Sequence, residues 1–186
     1  MSNKDILHLL SQVSTIIAGQ ASSSETYNKD RVGLPFYQGK VDFGDISPTP
    51  RVWFNEPIRI AESGDILSVR APVGPTNIAS EKCCIGRELC AIRVNQDVDK
   101  SYVLAFFKLY ETNIAKMGSG STFKAITNEQ IQNIEIPPLA EQRRIAAIID
   151  AKLTAVDKAK RLLQEQSEAI NAISAAILRK VFAGEI

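Results

Sequence analysis

A glycine- and hydroxyl-rich loop between two lysines is the segment of this chain best suited to bind phosphate. It runs from Lys116 to Lys124 and reads KMGSGSTFK. Glycines let a backbone approach a ligand closely, hydroxyl groups donate hydrogen bonds, and the lysines supply positive charge, a combination that suits phosphate oxygens. The contacts that we expect from this loop are those of Ser119, Ser121, Thr122 and Lys124.

Two further polar segments, residues 19–31 and 38–40, add candidate contacts. Gln38 and Arg70 are of the types that read base edges, since glutamine pairs with adenine and arginine with guanine through two hydrogen bonds each. Arg31 and Lys40 supply positive charge beside them. The alternative interpretation of all these segments is a set of solvated linkers with scattered charge.

Several segments match known enzyme motifs only in part, and each lacks a residue or a spacing that the motif requires. Residues 33–41 resemble a phosphate-binding loop, but the glycine spacing is one residue too long and Val41 lacks the hydroxyl that would hold magnesium. Residues 118–123 lack the third glycine of a dinucleotide site, and residues 55–58 match an amino-methyltransferase motif only in part. His8, the one histidine, lies beside leucines on a predicted helix and is expected to be structural. We therefore expect no catalytic residue, no cofactor and no metal.

The charge balance and the cysteines exclude several kinds of binding site. Lys and Arg number 22 and Asp and Glu 21 among the 186 residues, so any nucleic-acid binding needs local basic patches or a basic partner. Cys83, Cys84 and Cys90 are odd in number and two are adjacent, which fits neither a disulfide framework nor zinc spacing. Reduced, buried cysteines in a cytoplasmic protein are the expectation. No membrane span and no signal peptide are predicted.

The hydrophobic pattern predicts an irregular α/β, mixed-sheet domain. A short helix within residues 5–14 leads into a strand at 15–18. Turn-forming residues separate the later elements, and residues 71–77 read as a loop. A helix is predicted at 99–116, and Thr127 with Gln130 forms a capping box for another. The remaining strands are predicted at residues 34–38, 52–54, 66–70, 83–85, 89–94 and 134–136.

The aromatic residues near these loops divide into two groups. Trp53 and Phe54 are expected in the core rather than stacked on bases. Phe36, Tyr37 and Phe123 each adjoin a polar loop, so core and base-stacking roles both stay open for them.

One long helix is predicted after this domain, from residue 139 to about 182, a stretch without Pro or Gly. Its length is about 66 Å at about 1.5 Å per residue. Pro138 suits its first turn, Glu141 lies near the positive end of its dipole, and Gly184 marks its far end. The expected organisation is a domain at residues 1–136 and a helix at 137–186.

An apolar seam of seven-residue period runs along this helix and predicts coiled-coil pairing. The residues just before each seam position are also apolar: Ile148, Ala155, Leu162, Ala169 and Ala176. The dimerisation residues that we expect are Ile149, Val156, Leu163, Ile170 and Ile177.

The junction IEIPPLAEQRRI at residues 134–145 resembles the one that joins strand to long helix in specificity subunits of type I restriction-modification systems. Weaker matches lie in the expected order: GDIL at 64–67, GSGST at 118–122 and LRKVFAGE at 178–185. The resemblance covers essentially the whole chain. Typical members hold two target recognition domains and two helices, whereas this chain has one of each. It thus resembles a half-length subunit, either a natural unit or a fragment of a longer chain.

The resemblance implies a non-catalytic role in sequence recognition. A target recognition domain would read a DNA half-site, and the helix would act as a spacer. Modification subunits would dock and supply S-adenosylmethionine and methyl transfer to adenine N6. A restriction subunit would add ATP-driven translocation and DNA cleavage.

The apolar seam and the family resemblance together imply that two such helices pair antiparallel. The partner is either an identical chain or a different half-length subunit. Twofold-related readers would recognise a gapped inverted repeat. A helix of this length spans between one and two turns of DNA, at about 34–36 Å per turn. Two other functions stay open. One is a coiled-coil adaptor that binds protein rather than DNA, and the other is the detached recognition region of a single-chain DNA methyltransferase.

Overall fold

Short strands and short helices precede one long helix in a computed structural model of the protein. The structure describes residues 7–23, 26–56, 58–109, 111–118 and 124–184. The strands are β1 (His8–Leu9), β2 (Ser14–Ala18), β3 (Tyr27–Asn28), β4 (Leu34–Tyr37), β5 (Trp53–Phe54), β6 (Ile60–Ala61), β7 (Ile66–Arg70), β8 (Val73–Ile78), β9 (Cys83–Ile85), β10 (Leu89–Val94) and β11 (Glu135–Ile136). The helices are α1 (Leu10–Val13), α2 (Lys100–Leu109), α3 (Glu111–Met117), α4 (Asn128–Gln132) and α5 (Leu139–Phe182).

Within the described ranges the strands form three sheets. A four-stranded antiparallel sheet has the order β2-β10-β7-β8, and a five-stranded sheet has the order β3-β5-β4-β9-β6. In the second sheet β4 and β9 run parallel while the other pairs are antiparallel. β1 pairs with β11. The predicted fold, an irregular mixed-sheet α/β domain followed by one long helix, is confirmed.

The four-stranded sheet is buried on both faces, and its two central strands show why. Successive side chains of a strand point to opposite faces. Ile66 and Ile92 face a core shared with helices α1 to α4, whereas Leu67 and Ala91 face a second core. Tyr37, Ala61, Cys83 and Ile85 of the five-stranded sheet complete that second core. The two sheets therefore pack face to face, with the short helices on the outer side of the first.

An aromatic cluster lies in a third core, which Phe36, Phe54 and Cys84 form with Tyr27 packed against them. Ring centroids are 4.9 Å apart for Tyr27–Phe36 and 5.6 Å for Phe36–Phe54. The core role predicted for Phe54 is confirmed. Phe36 and Tyr37, left open by the sequence, are buried, and Phe123 lies outside the described residues.

Trp53, also predicted in the core, is only half-buried. The Arg31 guanidinium lies 5.5 Å from the centroid of its ring. Arg31 has a positive φ of 61°. A cation over an aromatic face is a favourable contact.

Local sequence signals mark where α4 and α5 begin. The capping box is confirmed: Gln130 N donates to Thr127 Oγ1 at 3.1 Å, and Thr127 N donates to Gln130 Oε1 at 2.9 Å. Pro138 lies one residue before α5 rather than within its first turn. Its carbonyl accepts hydrogen bonds from the N–H groups of Glu141 and Gln142, so it acts as the helix N-cap.

The chain divides into two units, residues 1–146 and 147–186. Gln142 and Ala146, on the first turns of α5, are buried in the first unit, which explains why the division falls after them. We call residues 1–146 the recognition unit and the rest of α5 the helical unit. Gly184, with a φ of 74°, follows the last turn of α5 as predicted. Among the described residues, no helix has the length and apolar character needed to cross a membrane.

Other expectations about local structure were wrong. The predicted loop at 71–77 contains β8, because pairing with β7 extends it, and an edge strand tolerates Gly74 and Pro75. His8 lies on β1 rather than on a helix. The helix predicted at 99–116 is two helices, α2 and α3, on either side of residue 110, which is not described.

Candidate nucleic-acid interface

The tight turn between β9 and β10, residues 86–88, lies at a polar concave surface of the recognition unit. Leu89 N donates to Gly86 O at 2.9 Å and closes the turn. Gly86 N donates to Tyr37 O at 2.8 Å, and Arg70 N donates to Glu88 O at 2.8 Å. These backbone bonds tie the turn to the ends of β4 and β7, so the side chains of Arg87 and Glu88 project from a fixed base.

The turn is also fixed to the segment that follows β2. A Cβ on Gly19 would lie 1.9 Å from Gly86 O, so only glycine lets the two backbones pass this closely. Gln20 N donates to Ile85 O at 3.2 Å. Residues 20–22 are thereby held along one side of the turn.

Two adjoining grooves meet at Arg87 and Glu88, which line both, and we call them the groove pair. The first groove is lined by Gln20, Ala21, Ser22, Tyr27, Phe36, Gln38, Gly86, Arg87 and Glu88. The second is lined by Arg70, Ala71, Pro72, Arg87, Glu88 and Ala125. The polar side chains include donors and acceptors of the kinds that contact base edges and phosphates.

A buried carboxylate shapes the loop that presents Gln38. Asp42 Oδ2 accepts hydrogen bonds from Gln38 N at 2.7 Å and Gly39 N at 3.3 Å, and Arg51 Nε donates to Oδ1 at 2.6 Å. Asp42 closes a single 3-10 turn, Lys40–Asp42, and only 4% of its surface is exposed. The same turn leaves Lys40 exposed beside the loop. Asp42 therefore positions this loop without reaching a ligand itself.

Arg70 is held at the wall of the second groove by its own neighbours. Its Nη2 donates to Arg87 O at 2.7 Å. Guanidinium has five N–H donors, so this bond orients the group and leaves others for a ligand. The backbone of Arg70 also accepts a hydrogen bond from Ile126 N at 2.9 Å, which brings the segment after Lys124 alongside.

The two described ends of the glycine- and hydroxyl-rich loop meet beside the second groove. A Cβ on Gly118 would lie 2.7 Å from Ala125 O, so the backbones at the two ends are in contact. Val73 N donates to Lys124 O at 2.8 Å, and the Lys124 side chain is exposed. Ser119, Ser121 and Thr122 lie outside the described residues.

The predicted contact residues are thus gathered in part. Gln38 and Arg70 line the groove pair, and Lys40 and Lys124 are exposed next to segments that line it. Arg31 is not among them, since it precedes the start of β4 while Gln38 follows its end. The Arg31 side chain contacts the Trp53 ring instead of lining the groove pair, where it was expected. The roles of all these residues in binding stay predictions.

Sequence reasoning missed Arg87 and Glu88, the residues common to both grooves. Their signal was present, because two charged residues follow Gly86 in a three-residue turn between two predicted strands. Gln20 and Ser22 were included only as part of a long polar segment. Asp42 was missed because its role depends on backbone N–H groups, which a residue-type pattern does not show.

Two other polar clusters of the recognition unit are structural. Asp65 accepts hydrogen bonds from Arg93 Nη2 at 2.8 Å and from Glu62 N at 2.8 Å, so it stabilises the turn before β7 within the GDIL segment. Asn77 is buried and exchanges hydrogen bonds with Gly44 N and Gly44 O at 3.0 and 2.8 Å. Both side chains are satisfied by the fold itself.

The cysteines are buried free thiols, as predicted. Burial raises the pKa of Cys83 and of Cys90 to about 12, and it also raises the pKa of Cys84. Neutral thiols are poor nucleophiles and poor metal ligands. In the part of the chain that the structure describes, no group of His, Cys, Asp or Glu side chains could hold a metal ion.

The predicted dimerisation residues lie on the helical unit, where almost every described side chain is exposed. Leu163 is 65% exposed, Ile170 64%, Ile177 51% and Val156 48%, whereas Ile149 is half-buried. Apolar residues of this size in a seven-residue row are covered in stable coiled coils. The described residues leave most of this row uncovered.

Comparison with known proteins gives a consistent family match. The family model described as "Type I restriction modification DNA specificity domain" matches residues 8–172. A protein of Methanocaldococcus jannaschii, named for the specificity subunit of the type I restriction enzyme MjaX, is 40% identical over 175 residues, which are 92% of this chain and 40% of that protein.

Solved structures agree with the sequence matches. The crystal structure of the HsdS subunit from Thermoanaerobacter tengcongensis superposes with a TM-score of 0.72 at 44% identity, over 84% of this chain and 39% of that one. A chain from a structure on complex assembly and conformational transition of the type I R-M system gives a TM-score of 0.77 at 44% identity, over 94% of this chain and 45% of that one. The chain therefore spans less than half the length of these relatives.

Proposed function

The chain belongs to the family of type I restriction modification DNA specificity domains, and from this premise we propose that it recognises a DNA sequence for partner enzymes without catalysing a reaction itself. In this proposal residues 1–136 form a target recognition domain and residues 137–186 form a spacer and dimerisation helix. The observation that carries the proposal is the groove pair. It places Gln38 and Arg70 beside a turn with two further charged side chains.

The groove pair has the chemistry that reading a duplex requires. Base edges are read by side chains with two hydrogen-bonding groups in fixed geometry, and Gln38 and Arg70 are of this kind. Phosphates are bound by exposed cations and by backbone N–H groups, and Lys40 and Lys124 are exposed nearby. The near-equal numbers of acidic and basic residues predict that the isolated chain binds DNA weakly and that partner subunits strengthen the binding.

The exposed apolar row of the helical unit supports pairing with a second helix. In each copy the helical unit follows the recognition unit directly along the chain, within α5. If two such helices pair antiparallel, the recognition units are attached at opposite ends of the pair and are related by a twofold axis. The target would then be a gapped inverted repeat, with the helix length setting the gap.

Partner subunits complete the proposed activity. Modification subunits would dock on this chain and transfer a methyl group from S-adenosylmethionine to adenine N6. A restriction subunit would cleave DNA after ATP-driven translocation. In this proposal the chain determines the DNA sequence at which these reactions occur.

The test is to combine the chain with a candidate modification subunit from a neighbouring gene, add S-adenosylmethionine and random-sequence DNA, and sequence the methylated sites. Methylation at one palindromic, gapped motif is the expected result. The matched control omits the chain and should give no motif.

Other outcomes point to the alternatives. If methylation is absent and the chain captures a protein instead of DNA, it is an adaptor. If methylation occurs at an ungapped site read by one chain, the chain acts as a detached recognition region of a methyltransferase. Titration of the chain alone with labelled target duplex tests the predicted weak binding, and tight binding that resists salt would contradict it.

A further inference from the structure

Glu88 occupies the meeting point of the groove pair, and its backbone is fixed on both sides. Its carbonyl accepts a hydrogen bond from Arg70 N at 2.8 Å, and the next residue, Leu89, closes the turn by bonding to Gly86 O. The side chain is half-buried and lines both grooves. Its position is therefore set by the fold rather than by loop motion.

The Glu88 carboxylate lies against Gly39. A Cβ placed on Gly39 would come within 2.5 Å of Glu88 Oε2, so the absence of a side chain at residue 39 makes room for this oxygen. Gly39 has φ −173°, an extended conformation that any residue can adopt, so backbone conformation does not require glycine here. Glycine at residue 39 instead provides the space that the Glu88 carboxylate occupies.

No side chain in the described ranges forms a hydrogen bond or ion pair with this carboxylate. The neighbouring Arg70 is directed instead to the Arg87 carbonyl. By contrast, the buried carboxylates of Asp42 and Asp65 each bind an arginine and backbone N–H groups. Glu88 thus retains its hydrogen-bond acceptors for a ligand that enters the grooves.

An acidic group on a DNA-binding face repels phosphates, so it weakens binding unless a base donates to it. A carboxylate is an acceptor only, and the base it reads in the major groove is cytosine, through the N4 amino group. Resting on the proposed function, we infer that Glu88 is a specificity-determining residue that requires a C·G pair at one position of each half-site. Arg87, which lines both grooves with Glu88, offsets the charge of its carboxylate toward the DNA phosphates.

The test uses the full chain with its modification subunit on random-sequence DNA, and it compares methylated motifs. Wild type should discriminate on the order of tenfold for C·G at the position concerned. Glu88→Ala should lose that preference at this position alone. Glu88→Gln should weaken it or shift it toward A·T, because an amide pairs with adenine N6 and N7.

Gly39→Ala provides an independent variant with unchanged charge. Its new Cβ displaces the Glu88 carboxylate, so the same position should lose its preference. Glu56→Gln is the matched control. Glu56 is exposed and follows β5 near the start of β4, away from the Gln38 end, and it should leave every position unchanged.

The outcomes separate the two proposals. If wild type yields no sequence-specific methylation, the proposed function fails and the inference fails with it. If wild type yields a gapped motif that Glu88→Gln and Gly39→Ala both leave unaltered, or alter only at A·T positions, Glu88 does not read cytosine and the proposed function still stands. Because Glu88→Gln preserves side-chain volume, the test does not depend on Glu88→Ala folding.

Discussion

The recognition unit and the helical unit differ in where their apolar side chains are buried. In the recognition unit three cores bury the alternating faces of two sheets. In the helical unit, large residues such as Leu163 and Ile170 are about two-thirds exposed. Burying such a side chain stabilises by roughly 1.5–3 kcal/mol, so leaving a whole row exposed is unfavourable. The recognition unit thus buries its large apolar side chains within itself, whereas most seam residues of the helical unit are exposed in the described chain.

The same contrast holds for polar groups. Asp42, Asp65 and Asn77 are buried in the recognition unit, and each binds backbone or arginine partners within it. The helical unit has surface pairs such as Gln164 with Glu168, and these contribute little to stability. Buried polar contacts of fixed geometry therefore lie in the recognition unit, whereas the helical unit presents an exposed apolar row.

Under the proposed helix pairing, Leu163→Glu gives the largest expected effect, because Leu163 is the most exposed of the predicted seam residues. Pairing would bury a carboxylate without a partner, which costs roughly 3 kcal/mol or more per copy. Sedimentation should show the dimer replaced by a single chain, while the unfolding midpoint of the recognition unit is unchanged. A variant that still sediments as a dimer would show that the seam is placed wrongly.

Thr154→Glu is the control for that variant. Thr154 follows Ile149 by five residues, which places it on another side of the helix, and its side chain is exposed. The same acid added there should leave self-association within about 0.5 kcal/mol of wild type. Equal loss of the dimer in both variants would indicate a charge effect rather than a specific seam.

Asp42→Ala is the corresponding variant in the self-sufficient unit. It removes the acceptor of the Gln38 and Gly39 N–H groups and the partner of Arg51, and hydrogen bonds to a charged group contribute about 1.5–3 kcal/mol each. Chemical unfolding should show the recognition unit destabilised by at least about 3 kcal/mol, the lower bound for the two backbone bonds alone, with self-association unchanged. Asp45→Ala, at an exposed position three residues later, is the control and should change stability little. If Asp42→Ala dissociated the dimer, the two units would not be independent.

The parts predicted from sequence are those with strong local signals. The long helix has an unbroken seven-residue pattern, and β7, β9 and β10 are short apolar runs between turn residues. The capping box at Thr127 needs only two residues three apart. These features depend on neighbours in sequence, so one chain is enough to find them.

The parts that were missed depend on distant partners. β8 contains Gly74 and Pro75 and becomes a strand because β7 pairs with it. Arg31 and Gln38 are both of residue types suited to DNA contacts. However, β4 lies between them, and the Arg31 side chain contacts Trp53 instead. Arg87 and Glu88 become central to the candidate site because β4, β7 and β9 end around one turn, a fact of topology. Residue type suggested the chemistry, and tertiary pairing decided which residues share a surface.

The smallest expected effect concerns the buried thiols, which test how closed the recognition unit is. Burial raises the pKa of Cys83 and Cys90 from 9.0 to about 12. A raised pKa means that the folded state holds the proton more tightly. The stability that this contributes is therefore fully present below pH 9 and is lost as the pH rises toward 12.

The expected loss is about 1 kcal/mol per thiol for each pH unit above the unfolded pKa, measured by chemical unfolding between pH 8 and 10. A Cys83→Ala, Cys90→Ala double variant should show a flatter pH dependence than wild type, whatever its absolute stability. At pH 8 the native thiols should also react with a thiol reagent far more slowly than the unfolded chain. Rapid labelling of native protein would mean that the core between the two sheets opens readily. The recognition unit would then not keep its apolar side chains closed off by itself, and its contrast with the helical unit would disappear.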